Sequence, residues 1–308
     1  MTVLDNYLPK HILITGGSGF IGRALVASLH QQGCDVTVLT RSAMATAKKL
    51  FHQAKPIESL QQFEPNQPLD GVINLAGASL AAKRWSERYK AEIVASRVET
   101  TAALTAWLQQ RPQPPKVLLS GSAIGFYGPA GDEALTESSL GVDSFSHRLC
   151  RDWEEATAAV EQQGVRRIML RTGVVLGREG GSLPEMQRSL LAKMVVHFGT
   201  GRQWLSWVHL HDYIKMVLWL LQRDDIAGPV NMTAPQPVTN YQFMATLKRV
   251  HRGWLQLPMP AVVARLLLGE MADELLLTGQ RVIPQRLLEA GFEFDYPELE
   301  PALRQLRQ

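Results

Sequence analysis

Cysteine and long apolar runs are scarce in this sequence, and each scarcity excludes a class of protein. Among 308 residues there are two cysteines, Cys34 and Cys150, too few and too far apart for a disulfide framework or a cysteine-based metal site. We therefore expect reduced thiols and a cytoplasmic protein. No apolar run is long enough to span a bilayer. Met1–Lys10 has an acid, a proline and no apolar segment, so we expect neither a signal peptide nor a membrane partner.

The chain also has only a small excess of charge of one sign. The net charge is +3, and acidic and basic residues are spread along the whole chain. This distribution argues against a protein that binds nucleic acid through a basic face. The apolar fraction of 45% is ordinary for a globular protein, and the length accommodates one large α/β domain or a domain with an appendage.

The first pronounced pattern is a cluster of glycines between a strand and a helix. His11–Ile14 has the character of a short buried strand, glycines follow at positions 16, 17, 19 and 22, and Arg23–Gln32 has helical periodicity. Glycines let a backbone turn tightly and approach a pyrophosphate, and the first N–H groups of the helix face that anion. An ordinary strand–helix turn is the alternative, but the succession of strand, glycine turn and helix favours a dinucleotide site.

The second strand, Asp35–Leu39, ends at Thr40 and Arg41. In a dinucleotide fold the residue at this position meets the adenosine ribose. An acid there accepts a hydrogen bond from a 2′-hydroxyl, whereas an arginine suits a 2′-phosphate. The sequence has no acid within reach on this side. It therefore predicts NADP rather than NAD, against the alternative that Arg41 is simply an exposed arginine at a strand end.

Strand and helix patterns alternate along the next part of the chain. Strands are predicted over Asp70–Asn74, Val117–Leu119, Arg167–Leu170, Trp204–Val208 and Val230–Met232, and helices over Glu87–Gln109, Phe145–Gln162, Glu185–Met194 and Tyr213–Gln222, with Asp212 as the N-cap of the last. This alternation predicts an α/β fold of the Rossmann type, a doubly wound parallel sheet with helices on both faces. We expect residues 1–235 to form that domain, and residues 236–308 to form a small, mainly helical C-terminal domain that helps to shape the substrate pocket.

Hydroxyl groups follow the central strand Val117–Leu119. Ligands of open α/β sheets bind at the carboxyl ends of strands, so Ser122 and Tyr127 are candidate catalytic residues. Serine can hold a carbonyl or hydroxyl group, and tyrosine can exchange a proton if a cation lowers its pKa. A plain turn is an equally good interpretation. His209 and His211 have no cysteine or carboxylate cluster with them in the sequence, so no metal site is predicted.

At Ser120–Gly128 the chain resembles the extended short-chain dehydrogenase/reductase superfamily, and within it the nucleotide-sugar-epimerase-like family of the YfcH type. The resemblance runs from residue 11 to about residue 303, and the tail resembles the small C-terminal domain of that family. The motifs that carry it are Ile14–Gly22, Asn74–Gly77, Arg84–Trp85, Ser96–Arg97, Ser120–Gly128, Trp153–Glu154, Arg171–Leu176, Gly201–Gln203 and Gly279–Arg281.

This resemblance implies an NADP(H) site, with Val175 near the nicotinamide. The residues that it assigns to the cofactor are Gly16, Ser18, Gly19, Phe20, Ile21, Gly22, Thr40, Arg41, Leu75, Ala76, Gly77, Glu92, Arg97 and Val175. Glu92 and Arg97 come from the resemblance alone, because their positions by themselves indicate a solvated helix face.

The sequence departs from the superfamily at the residues expected to move a proton. The superfamily's Tyr-x-x-x-Lys pair, in which lysine lowers the pKa of tyrosine, falls on Phe145 and Leu149. Phenylalanine has no proton to exchange and leucine has no charge, so the usual relay is absent. His147 and Arg148 lie on the same helix and are candidates for a cationic neighbour.

Two functions of different classes remain open. The first, which we favour, is an NADP(H)-dependent oxidoreductase or epimerase-like protein that acts on an unidentified small molecule with a carbonyl or hydroxyl group. The second is a catalytically inactive NADP(H)-binding sensor or regulatory protein, favoured by the missing Tyr-Lys pair. A nucleotide-sugar binder without redox chemistry ranks below both, and the sequence leaves the oligomeric state open.

Overall fold

The computed structural model describes residues 9–50, 52–188, 190 and 193–307. The strands, numbered in chain order, are β1 (His11–Thr15), β2 (Asp35–Leu39), β3 (Lys55–Ile57), β4 (Gly71–Asn74), β5 (Val117–Ala123), β6 (Ala134–Leu135), β7 (Arg166–Thr172), β8 (Val174–Gly177), β9 (Gly180–Gly181), β10 (Met194–Phe198), β11 (Trp204–Leu205), β12 (Trp207–His209), β13 (Gly228–Met232), β14 (Val238–Thr239), β15 (Leu255–Met259) and β16 (Arg281–Val282). The helices are α1 (Phe20–Gln31), α2 (Ala43–Lys49), α3 (Glu87–Ala95), α4 (Val98–Gln109), α5 (Phe145–Glu155), α6 (Leu183–Gln187), α7 (Leu210–Gln222), α8 (Asn240–Val250), α9 (Ala261–Leu268), α10 (Glu270–Ala272), α11 (Gln285–Glu289) and α12 (Leu299–Arg307).

Seven strands form one sheet in the order β13-β7-β5-β4-β1-β2-β3. Every neighbouring pair in it is parallel. The order reverses between β1 and β4, and the crevice beyond the carboxyl ends of the strands at such a point is where open α/β sheets bind ligands. The predicted Rossmann-type doubly wound sheet is therefore confirmed.

Side-chain alternation along β1 assigns the two faces of the sheet. Ile12 and Ile14 are completely buried in one core with α1 and α7, whereas Leu13 is buried in another with Leu104 of α4. Burying one such side chain stabilises the fold by roughly 1.5–3 kcal/mol. Because both faces are covered by helices, the carboxyl edge of the sheet is left to bind a ligand.

The long helix predicted over Glu87–Gln109 is broken in the structure. α3 ends at Ala95 and α4 begins at Val98. At the break, the Ser96 hydroxyl accepts a hydrogen bond from the N–H of Ala78 at 2.9 Å. The break thus ties this helix pair to the loop after β4, which an uninterrupted helix would leave free.

The helix predicted over Phe145–Gln162 is also shorter than expected. α5 ends at Glu155, and a 3₁₀ turn follows over Ala158–Gln163. The Thr157 hydroxyl donates to the carbonyl oxygen of Glu154 at 2.6 Å, and a bond of this kind competes with the helical hydrogen-bond pattern.

Two helix boundaries later in the chain were predicted wrongly. α7 begins at Leu210 with His209 as its N-cap, so Asp212 lies in the first turn and is not the cap. The predicted helix Glu185–Met194 is replaced by the shorter α6 and by β10, which begins at Met194. Residues 189, 191 and 192 of that stretch lie outside the described residues, as do residues 1–8 of the segment for which no signal peptide is expected.

The C-terminal part of the chain contributes strands as well as helices. β14 is antiparallel to β11, β15 is parallel to β10, and β16 is parallel to β6. A third core joins α8 and α12 to β8, β10 and β12. The division near residue 235 stays a prediction. Within the described ranges, no helix has the length and apolar character needed to cross a membrane.

Candidate cofactor site

The glycine turn between β1 and α1 leaves no room for a side chain at Gly16 or Gly22. The N–H of Gly19 donates to the carbonyl oxygen of Gly16 at 3.0 Å. A Cβ on Gly16 would lie 2.5 Å from the carbonyl oxygen of Leu75, and a Cβ on Gly22 would lie 2.3 Å from that of Gly16. Gly16 also has φ +70°, which glycine adopts without strain. Bare backbone therefore lines the crevice between β1 and β4, as a pyrophosphate requires.

The end of β1 fixes the loop after β4. The N–H of Leu75 donates to the carbonyl oxygen of Thr15 at 3.1 Å, and the N–H of Ala76 donates to Thr15 Oγ1 at 3.1 Å. The same hydroxyl donates to Asn74 Oδ1 at 2.6 Å in the buried interior. Leu75 and Ala76 are thereby held beside the glycine turn, as the sequence predicts.

Phe20 connects the glycine turn to β8. Its ring covers the loop between β8 and β9 so closely that a Cβ on Gly177 would lie 2.5 Å from it, and a Cβ on Gly180 2.6 Å. Val175, on β8, is only 8% exposed and lies in the core that Phe20 packs against. The structure thus brings Phe20 and Val175 to one region. The other predicted residues of the turn retain solvent exposure: Ser18, Gly19 and Ile21.

The ends of β2 and β3 bring an acid, Glu58, to the strand end that carries Arg41, and local sequence patterns did not indicate it. Arg41 is exposed after β2, and the Thr40 hydroxyl is 2.7 Å from that of Thr46. Glu58 follows β3, and its Oε1 accepts a hydrogen bond from the N–H of Ala43 at 2.7 Å. The expectation that no acid lies within reach of this strand end is therefore wrong. The position of Glu58 follows from the parallel pairing of β2 with β3, and the sequence pattern of a single strand does not reveal that pairing.

Arg97 is a buried cation at the loop after β4. It is 8% exposed, and its guanidinium donates to the carbonyl oxygens of Ala78 at 2.9 Å and Ile93 at 3.2 Å. It also contacts the position of a Cβ on Gly77 at 3.0 Å and lies 5.3 Å from the Trp153 ring centroid. Burial lowers its pKa. No ion pair joins Arg97 to a carboxylate in the part of the chain that the structure describes.

Glu92 is far more exposed than Arg97. Its side chain is 54% exposed on α3, and its carboxylate is 3.8 Å from Lys83 Nζ. An ion pair this exposed contributes little to stability. The structure therefore places Glu92 on the solvated face that its sequence position indicates, with Lys83 as its partner.

Ser122 is buried beneath the carboxyl edge of β5, not presented in an open cleft. It is 3% exposed, and its hydroxyl donates to Glu154 Oε1 at 2.6 Å. Both oxygens of Glu154 also accept from Arg171, at 2.9 Å each. The Ser122 proton is therefore committed to a buried ion pair.

Tyr127 belongs to the same buried network. It is fully buried; its hydroxyl donates to Asn231 Oδ1 at 2.7 Å and accepts from Arg171 Nη1 at 3.2 Å. Burial raises the pKa of the phenol, although Arg171 and Asn231 act in the opposite direction. A phenol that is buried, hydrogen-bonded and has a raised pKa is poorly suited to exchange protons near neutral pH. Ser122 and Tyr127 are thus both held in one buried hydrogen-bonded network, and their catalytic roles stay a prediction.

The register of the missing Tyr-Lys pair is occupied by an apolar cluster. Leu149 is 6% exposed and Phe145 packs against the same group. The N–H groups of Phe145 and Ser146 donate to the Glu274 carboxylate at 3.1 and 3.2 Å, so the C-terminal part covers the start of α5. The buried members of the cluster are Trp85, Tyr89, Ile93, Leu149 and Met271.

Neither cationic candidate on α5 replaces the missing lysine. His147 Nδ1 is hydrogen-bonded to the carbonyl oxygen of Phe126. Arg148 forms an ion pair with Asp143 at 2.7 Å, with both side chains substantially exposed. His147 and Arg148 are therefore each engaged with a residue of the preceding segment.

The structure brings Asp295, from a distant segment, to His211 and its sequence neighbour Asp212. Ligand atoms of His211, Asp212 and Asp295 lie within 4.8 Å of one another. The Asp212 oxygens accept from the N–H groups of Asp295 and Tyr296 at 3.0 and 2.9 Å. Asp295 binds His211 at 2.8 Å and Lys215 at 2.9 Å. These hydrogen bonds and ion pairs connect α7 to the segment before α12.

Comparison with family models covers most of the chain in two parts. The model described as the NAD dependent epimerase/dehydratase family matches residues 12–232. A second model, described as a domain of unknown function (DUF1731), matches residues 259–306.

Individual proteins resemble the chain along nearly its full length. Epimerase family protein YfhF of Bacillus subtilis is 37% identical, over 96% of this chain and 97% of that protein. A solved structure of the human epimerase family protein SDR39U1 with NADPH has a TM-score of 0.86 and 29% identity, covering 96% of this chain and 98% of that one. A nucleoside-diphosphate sugar epimerase from Corynebacterium glutamicum has a TM-score of 0.75 and 30% identity, covering 98% of this chain and 59% of that one.

Proposed function

This chain belongs to the NAD dependent epimerase/dehydratase family, and from that premise we propose that it binds NADP(H). The observation that carries the proposal is the glycine turn at the start of the twelve-residue helix α1. A Cβ on Gly16, before the helix, or on Gly22, in its first turn, would overlap backbone. Bare backbone at the start of a helix fits a pyrophosphate. The human relative whose solved structure contains NADPH supports the same cofactor.

Each part of the dinucleotide has candidate residues. The turn and the first N–H groups of α1 would hold the pyrophosphate, and Arg41 with Thr40 would hold the 2′-phosphate. Leu75–Gly77 and Arg97 would line the middle of the cofactor, and Val175 would lie near the nicotinamide. Arg41 suits this role because its guanidinium is exposed and forms no ion pair with any described residue. When bound, the cofactor supplies or accepts a hydride.

Replacing Arg41 with alanine is expected to weaken NADPH binding far more than NADH binding. A charge-assisted hydrogen bond contributes about 1.5–3 kcal/mol, so NADPH affinity should fall roughly ten- to hundredfold. Calorimetric titration of both cofactors measures the difference. Lys48→Ala removes the same charge from the exposed side of α2 and should leave both affinities within about twofold, as expected for a surface site. Equal losses for NADPH and NADH in Arg41→Ala would reject the NADP assignment.

For the use of the bound cofactor, the geometry favours a binding or regulatory role over turnover through Ser122 and Tyr127. Both hydroxyls belong to a buried network, and the register of the usual tyrosine and lysine is filled by Phe145 and Leu149. These contacts support an NADP(H)-binding protein that does not use the proton relay of its superfamily. The second candidate, an oxidoreductase or epimerase acting on a carbonyl or hydroxyl compound, is favoured by the close approach of the loop after β4 to the glycine turn.

Tyr127→Phe separates these two roles. Loss of the buried hydroxyl leaves Asn231 and Arg171 each short of a partner and should lower the free energy of unfolding by about 1–3 kcal/mol. NADPH affinity should be unchanged. Urea unfolding and calorimetry measure the two quantities.

The matching activity test follows NADPH absorbance with aldehydes, ketones and nucleotide sugars. A binding protein should stay at the background rate with every compound, in wild type and in Tyr127→Phe. Turnover in wild type that disappears in a folded Tyr127→Phe protein with normal NADPH affinity would restore Tyr127 as a catalytic residue and reject the binding-only role.

A further inference from the structure

Glu58 follows β3 at the same edge of the sheet where Arg41 follows β2. β2 and β3 are parallel, with Leu39 opposite Ile57, so the residues after each strand emerge side by side. The N–H of Thr40 donates to the carbonyl oxygen of Ile57 at 2.9 Å, which closes the gap between the two strand ends. Arg41 and Glu58 therefore bring opposite charges to one corner of the carboxyl edge.

Neither charge is neutralised by an ion pair in the described part of the chain. Both side chains are exposed. The Glu58 carboxylate instead accepts the N–H of Ala43 at 2.7 Å, while its own N–H donates to Gln62 Oε1 at 2.7 Å. Ser42, the N-cap of α2, makes no side-chain cap bond. The Glu58 carboxylate thus accepts a hydrogen bond from a backbone N–H two residues after Arg41.

The two forms of the cofactor meet this corner differently. A 2′-phosphate carries negative charge and accepts hydrogen bonds, so it attracts Arg41, competes with Glu58 for the Ala43 N–H and is repelled by the carboxylate. A 2′-hydroxyl can donate to a carboxylate, which is how acids at this edge hold the ribose of NAD. At this corner, Arg41 therefore favours NADPH and Glu58 favours NADH.

We propose that Glu58 is a specificity-determining residue of the cofactor site, which lowers the preference for NADPH that Arg41 alone would give. The inference rests on the proposed NADP(H)-binding function. NADPH binding requires the carboxylate to release the Ala43 N–H and turn to solvent, which its exposure permits. NADH binding leaves that bond in place and adds the ribose hydroxyl as a donor.

The variant Glu58→Gln tests this role without removing the hydrogen-bond acceptor. Its amide oxygen can still accept the Ala43 N–H, so the start of α2 is preserved while the charge is lost. Removing one unit charge a few ångströms from a phosphate should tighten NADPH binding by about fivefold. NADH affinity should fall by about twofold, because a neutral acceptor binds a hydroxyl less strongly.

The control is Glu64→Gln, which removes the same charge from an exposed position further along the loop and should change neither affinity. All variants are titrated with both cofactors at low salt and again at about 1 M salt, where the screening length is about 3 Å. The NADPH gain of Glu58→Gln should shrink at high salt. Thermal unfolding verifies that each variant is folded.

The outcomes separate this inference from the proposed function. If wild type binds neither cofactor, both are rejected. If wild type binds NADPH but Glu58→Gln leaves the NADPH-to-NADH affinity ratio within twofold, only the role of Glu58 is rejected. Weaker NADPH binding in a folded Glu58→Gln protein would also reject it, because the carboxylate would then be positioning the phosphate site rather than opposing the phosphate.

Discussion

Replacing Arg171 with methionine is expected to lower the free energy of unfolding by about 3–5 kcal/mol, the cost of leaving a buried partner charge uncompensated. Glu154 keeps 10% of its side-chain surface exposed and Arg171 only 5%, and two bonds of 2.9 Å join them. Arg171 also donates to Tyr127, and its guanidinium carbon lies 3.4 Å from the Phe126 ring centroid. Urea unfolding followed by circular dichroism measures the loss.

Two control variants make this prediction specific. Arg304→Met breaks an exposed pair with Glu300 and should cost far less stability than Arg171→Met, because exposed ion pairs contribute little. The double variant Arg171→Met/Glu154→Met removes both buried charges and should be more stable than Arg171→Met alone. A double variant that is as unstable as the sum of two single losses would contradict the buried-charge explanation.

Gly22→Ala is expected to abolish tight NADPH binding, the largest effect predicted on the cofactor. The added Cβ would lie 2.3 Å from the carbonyl oxygen of Gly16 and 2.6 Å from the Cα of Gly17. These are backbone atoms and cannot swing aside, so the turn itself must shift. We expect a loss of stability of about 1–3 kcal/mol, typical of overpacking, and at least a roughly hundredfold loss of NADPH affinity, since a misplacement of about 1 Å can cost that much.

The matched control for the glycine turn is Gly131→Ala. A Cβ at Gly131 has nothing within 4 Å, so the same added methyl group should change neither stability nor NADPH affinity. Calorimetry and thermal unfolding on both variants complete the comparison. NADPH affinity in Gly22→Ala within twofold of wild type would mean that the turn does not approach the cofactor.

The parts of the molecule that local patterns specify were predictable from the sequence. The strand at β1, the glycine turn and α1 follow from apolar runs, glycine spacing and helical periodicity over a stretch of about twenty residues. The Rossmann-type sheet was predictable because strand and helix patterns alternate along the chain. The first and last residues of helices were less predictable, because Ser96 and Thr157 end or interrupt helices through bonds that periodicity does not record.

The chemistry of the candidate site depended on contacts between distant segments. Tyr127 looked available because its neighbours are turn residues, yet Asn231 and Arg171 reach it from β13 and β7. Glu58 is distant from Arg41 in the sequence, and the short, proline-containing strand β3 returns it to the same edge of the sheet. Burial and partner choice are properties of the assembled sheet, and no single segment determines them.

The pairing of β16 with β6 has a consequence for how the chain acquires its structure during synthesis. Ala134 has Arg281 as its strand partner, and β10 and β11 likewise pair with strands that follow residue 237. A ribosome making about 5–20 residues per second releases β6 several seconds before its partner. Contacts of such long sequence separation form slowly. Until each partner strand has been made, the edges of β6, β10 and β11 are open to pairing with other chains. Nascent chains stalled before residue 238 lack the partners of all three strands, so they should be the species most dependent on chaperones.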